Sequence, residues 1–120
     1  SDTLFNQIFD LILWGIKSNM ASVATDCPHR EKLGWLEQTY LIGSSMHYNF
    51  DIHRLYSKII DDMMDSQLDN GLVPDIAPEY VQFNDGFRDS PEWGSAAVII
   101  PWQVYRWYGD KTVLTKAYPL

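Results

Sequence analysis

Two short stretches of this chain carry the side chains that acid–base chemistry needs. The first, DCPHREKLGWLEQ at residues 26–38, sets Asp26, Arg30, Glu31, Lys32 and Glu37 around Trp35. The second, FRDSPEWG at residues 87–94, repeats the mixture with Arg88, Asp89, Glu92 and Trp93. A carboxyl beside an indole loses hydration, which raises its pKa, while neighbouring cations push the other way. If desolvation prevails, Glu31 is a proton donor near neutral pH. The competing reading needs no catalysis: an acidic residue near the start of a helix is favourable electrostatics in its own right. In the second stretch, Trp93 offers a flat apolar face for the C–H side of a sugar, and the carboxylates can accept from its hydroxyls. The plainer alternative there is a helix start with Pro91 ahead of it.

Other chemistries are poorly served. Cys27 and His29 lack a second Cys/His pair, which falls short of a zinc pattern. His47 and His53 lie on either side of a turn and make no ligand pair on one helix, so neither a metal nor a cofactor is expected. Cys27 with Pro28 reads as a buried corner and not as a nucleophile. As the one cysteine, Cys27 excludes an internal disulfide. Nine Lys and Arg against sixteen Asp and Glu, with no basic run, make a poor partner for phosphate backbones, so no nucleic acid is expected. No apolar run reaches the roughly 18 residues of a membrane span, so no membrane partner is expected either. The opening SDTLFNQIFDLILWGIK has no basic leader or small-residue cleavage site and does not read as a signal peptide.

These residues must be positioned by helices. Leu4, Phe5, Ile8, Phe9, Ile12 and Ile16 recur at helical spacing and predict a helix over 3–20, started by Asp2 or Thr3. Leu11, Leu13 and Trp14 widen its stripe, so burial on more than one side is expected. Residues 21–32 read as irregular, broken by Pro28. A second helix is predicted over about 33–48, where Gly43, Ser44 and Ser45 permit close approach of a neighbour. A third follows Asp51, from Ile52 to Leu68, with Asn70-Gly71 as a left-handed stop. Residues 72–92 form a long loop held by Tyr80, Phe83 and Phe87, with room for a short strand or hairpin around 79–83. A fourth helix is predicted over about 93–108, kinked or started late at Pro101, ended by Gly109, with Asp110 capping a fifth. The pattern is all-α: antiparallel helical hairpins whose long loops emerge on one rim.

DCPHREKLGW resembles the signature of the bacterial α-L-rhamnosidases of glycoside hydrolase family 78. GLVPDIAP and PEWGSAAVIIPWQVYRWYGD are similar to later segments of that family, and the resemblance runs over roughly residues 20–110. It implies an (α/α)6 toroid, six hairpins around a central pocket, with residues 1–120 a fragment of a single catalytic domain. It also implies inverting hydrolysis of terminal α-L-rhamnosides, with a rhamnose-containing glycoside as partner. By motif position Glu31 is the general acid, and the general base comes from outside this stretch, so the isolated chain is expected to be inactive. Asp26, Arg30, Trp35, Gln38, Asp89, Glu92 and Trp93 are the implied substrate-binding positions, while Cys27 and Pro28 look structural. Two departures stand out. Gln38 and Ser95 occupy places where the family often carries acids. They favour an alternative: a noncatalytic all-α carbohydrate-binding or interaction module, or a toroid enzyme for another glycoside. The family allows cytoplasmic, periplasmic or extracellular placement.

Overall fold

The computed structural model describes residues 2–84 and 86–120. Seven helices run through it: α1 (Thr3–Asn19), α2 (Leu36–Leu41), α3 (Gly43–Asn49), α4 (His53–Ser66), α5 (Pro91–Gly94), α6 (Ala96–Tyr108) and α7 (Thr112–Ala117). The chain is all-α as expected. Among the described residues the only extended pairings are the isolated bridges Met20–Ala24 and Trp35–Ile76. The segment around 79–83 forms no strand.

Each helix begins or ends for a local reason. Asp2 caps α1, its carboxylate accepting from the Leu4 N–H at 2.7 Å. The helix expected over 33–48 starts later, at Leu36, because Leu33 to Trp35 are spent on loop contacts described below. It also divides at Ile42, whose ψ of −5° ends α2 and opens α3. α4 stops at Ser66, short of the expected Leu68, and Gly71 at φ 86° closes the following turn with its N–H on the Leu68 carbonyl. α5 and α6 divide at Ser95, whose hydroxyl bonds back to the Pro91 carbonyl at 2.6 Å. α6 continues through Pro101, so the helix does not begin there, and Gly109 ends it in the left-handed region at φ 68°.

The core lies between α4 and α6, closed by α2, α3 and α7. Tyr56, Ile59, Ile60 and Met63 of α4 meet Ala96, Ile100 and Val104 of α6, with Leu36, Met46, Val113 and Ala117 around them. Packing is close where glycine allows it: a Cβ on Gly43 would lie 2.5 Å from the Gln103 side chain of α6. The Tyr56 hydroxyl, wholly buried, donates to the Thr39 carbonyl at 2.7 Å and ties α4 to α2.

α1 departs from expectation. None of its residues is buried, and Phe5, Leu11 and Trp14 are about 70% exposed (70%, 71% and 68%). It reaches the core only through Ile16 and through Met20 just after it. Its wide apolar stripe has no covering element among the described residues.

At one end of α4 and α6 the short connections meet. The Tyr108 hydroxyl accepts from the Ile52 N–H at 3.0 Å and lies 3.3 Å from His47 Nδ1. Asp110 caps the start of α7 through the Thr112 N–H (2.8 Å) and hydroxyl (2.6 Å), and its other oxygen meets His53 Nε2 at 2.9 Å. The Thr112 hydroxyl and then His53 hold the Asp110 carboxyl down at about 2. A depressed folded-state pKa contributes stability that is present above the unfolded value of 3.8 and lost as pH falls through about 2. Asp110→Asn therefore flattens this part of the acid limb. Between about pH 4 and 2 the native protein's urea midpoint falls, and the variant's falls less.

Candidate active site

The two charged and aromatic stretches meet. Leu36 N–H donates to the Asp75 carbonyl at 3.0 Å, and Ala77 N–H donates to the Gly34 carbonyl at 3.3 Å, on either side of the Trp35–Ile76 bridge. Asp75 N–H in turn donates to the Arg88 carbonyl at 2.6 Å. Residues 33–36, 75–77 and 88–90 thus lie side by side. Gly34 makes this approach possible: a Cβ would be crowded, 3.0 Å from the Ala77 carbonyl and 3.2 Å from Val23.

On this platform four aromatic rings cluster. Trp35 stacks on Phe83 at 5.3 Å and 25°, and meets Phe87 edge-on at 5.9 Å and Trp93 tilted at 5.7 Å. Phe87 and Trp93 close the group at 5.8 Å. Trp35 is 8% exposed, so its face is committed to other rings and is not open to a sugar. What Trp35 presents outward is its indole N–H, which donates to Glu31 Oε2 at 3.3 Å.

Glu31 ends the turn over residues 28–31, and it is exposed. The indole meets Glu31 edge-on, through that hydrogen bond, and water still reaches the carboxyl, so the desolvation on which a proton-donor role was conditional is not supplied by Trp35. The turn hangs from a closed base. Asp26 N–H donates to the Leu33 carbonyl at 3.0 Å, and Leu33 N–H donates to Asp26 Oδ1 at 2.9 Å. Glu31 N–H lies on Cys27 Sγ at 3.2 Å. Cys27 is half-buried and Pro28 exposed, so they form the inner side of a turn, not a buried corner. Partial burial pushes the Asp26 carboxyl up, but bonds from Cys27 and from the Leu33 N–H outweigh this and hold it below the usual carboxylate range.

The remaining implied positions divide. Arg30 is exposed, with no ion-pair partner among the described residues. Gln38, on α2 beyond Trp35, is half-buried, and its Oε1 has no hydrogen-bond partner among the described residues; the same holds for Trp93 Nε1. Glu92 is exposed, and its carbonyl accepts from the Tyr40 hydroxyl at 2.8 Å. Asp89 stands apart: it lines a cavity of about 480 Å³ with Gln67, Leu68, Asp69, Asn70 and Arg88, where no aromatic ring contributes. Arg88 itself is engaged, its guanidinium forked onto Glu79 at 2.6 and 2.7 Å. Among the described residues no three His, Cys, Asp or Glu side chains gather as metal ligands.

Sequence reasoning passed over Asp75. It is fully buried, and its carboxylate accepts from the Ser90 N–H at 2.7 Å and the Ser90 hydroxyl at 3.2 Å. Burial pushes its carboxyl above the usual range against the pull of the Ser90 bonds, with Asp89 and Glu92 adding to the rise. A lone acid inside the apolar run LVPDIAP was the available signal, since a charge there must find partners when it is buried.

The bacterial alpha-L-rhamnosidase 6 hairpin glycosidase domain matches residues 1–120. An alpha-L-rhamnosidase of Formosa agariphila is 32% identical over 116 residues, which make up 96% of this chain and 12% of that protein. Among solved structures, the alpha-L-rhamnosidase from Dictyoglumus thermophilum superposes with a TM-score of 0.88 at 38% identity, over 98% of this chain and 13% of that one. The Streptomyces avermitilis alpha-L-rhamnosidase, complexed with L-rhamnose, superposes with a TM-score of 0.90 at 33% identity, over 99% of this chain and 11% of that one. The chain thus spans 11 to 13% of the length of these relatives.

The Asp75 contacts generate a test. Asp75→Ala leaves the half-buried Ser90 N–H without its acceptor and costs about 1–3 kcal/mol in denaturant unfolding. Asp75→Asn keeps an acceptor for that N–H and costs less. A raised carboxyl pKa means that the native protein's stability is fully present below the unfolded value and declines as pH rises through the folded one. Above pH 3.8 the Asn variant, having no charge to bury, lacks that decline.

Proposed function

The chain belongs to the bacterial alpha-L-rhamnosidase six-hairpin glycosidase family, and from that premise we propose that it supplies the acid half of a glycosidase site. In this reading the whole protein cleaves terminal α-L-rhamnosides with inversion, and Glu31 protonates the departing oxygen. The observation that carries it is the hydrogen bond from Trp35 Nε1 to Glu31 Oε2 at 3.3 Å. That bond fixes one carboxyl oxygen at the edge of the four-ring cluster and leaves the other for the glycosidic oxygen.

A general acid must hold its proton until the leaving group needs it. Glu31 is exposed, so exclusion of water falls to the bound sugar and to the rest of the helical ring. Inversion requires a second carboxylate on the far side of the sugar, about 6.5–9.5 Å from the first, so that a water fits between them. In this reading that base lies elsewhere in the protein. Exposed Arg30 next to the acid is available to sugar hydroxyls. Asp26 serves the site by closing the base of the acid's turn, and Trp35 serves by its N–H and not by its face. Trp93 and Gln38, each with a buried polar atom lacking a partner, are the positions we assign to direct contact with the sugar.

The test is Glu31→Gln in the whole enzyme, read as kcat/KM against leaving-group ability. An alkyl rhamnoside, whose leaving group needs the proton, slows by roughly 10²–10⁴-fold, whereas a dinitrophenyl rhamnoside slows far less. Equal loss on both substrates removes Glu31 from the acid role. A native protein that binds rhamnose without turning over either substrate identifies the binding-module alternative, the reading that Gln38 and Ser95 favour.

A further inference from the structure

The turn carrying Glu31 is exposed, yet it is not tied down only by its own neighbours. Lys32, the next residue, has a φ of 57°, the only non-glycine positive φ among the described residues. A lysine gains nothing from that conformation, which costs an L-residue free energy unless its surroundings hold it. The carbonyl of Lys32 accepts a hydrogen bond from the Tyr80 hydroxyl, which arrives from the other long loop. Tyr80 therefore holds the backbone at Lys32, immediately after the candidate acid. Its own segment is anchored in two ways: the bidentate Glu79–Arg88 pair at 2.6 and 2.7 Å spans it, and Phe83 seats it on Trp35.

We infer that Tyr80 is a positioning residue for Glu31, its hydroxyl holding the Lys32 peptide in the left-handed turn that aims the carboxyl at the departing oxygen. The inference rests on the acid role proposed above. Tyr80 touches no reacting atom, and its effect passes through the backbone of Lys32. The Phe variant deletes only the hydroxyl. It leaves the four-ring cluster, the Asp26–Leu33 closure and the Glu79–Arg88 fork in place, so the protein keeps its fold.

The experiment is Tyr80→Phe in the whole enzyme, alone and combined with Glu31→Gln. Misplacement of the acid predicts a kcat lower by roughly 10- to 100-fold on an alkyl rhamnoside, with KM little changed. The same variant stays close to native on a dinitrophenyl rhamnoside, which needs no proton. In the double variant, loss of the hydroxyl adds nothing to the loss from Glu31→Gln, because one effect acts through the other. Three results overturn the inference while leaving the acid role intact: native kcat on both substrates, equal loss on both, or additive losses in the double variant. If Glu31→Gln alone shows no dependence on the leaving group, the acid reading itself fails and this inference fails with it.

Discussion

A carboxylate without access to water sits where the two long loops meet. Asp75 ties the Leu36 N–H to its carbonyl, its own N–H to the Arg88 carbonyl and its side chain to both donors of Ser90. Burying a charge is expensive, and here the two bonds from Ser90 offset part of the cost while the carboxyl stays above its usual range. The aromatic cluster, the Trp35–Ile76 bridge and the turn bearing Glu31 are all laid out from that junction.

Above the junction, the division of labour differs from what composition suggests. Tryptophans set beside carboxylates invite a stacking role, but Trp35 is sandwiched among Phe83, Phe87 and Trp93. Its contribution is one N–H aimed at one carboxyl oxygen. Asp26 and Arg88 likewise look like ligands and act as closures, one on Leu33 and the other on Glu79. On the reading proposed above, the groups left for a sugar are those with unsatisfied atoms or open faces: Glu31, Arg30, Trp93 and Gln38.

The helices were legible because their period is local. α4 and α6 follow from apolar residues every three or four positions, and the end of α6 at Gly109 and the turn after α4 at Gly71 follow from what a left-handed turn demands. The interruptions at Ile42 and Ser95 were not legible: beside the first, the Tyr40 carbonyl accepts from Gln103 of α6, far along the chain, and at the second a serine bonds back to the Pro91 carbonyl. The same holds at the site. That residues 26–38 and 87–94 carry chemistry could be read from their types. That Trp35 turns its edge and not its face to Glu31 depends on Phe83, far along the chain, and no spacing rule encodes it. Tyr80 read as an aromatic that keeps a loop ordered, and only its place on the Lys32 carbonyl gives it a more specific meaning.

The indole of Trp35 is shielded on its face and bonded at its nitrogen to a single carboxyl oxygen. Such a ring is a fluorophore wired to an ionisable group. In a variant stripped of the other four tryptophans, its emission would report on its immediate surroundings, the carboxyl of Glu31 among them, with no dye attached.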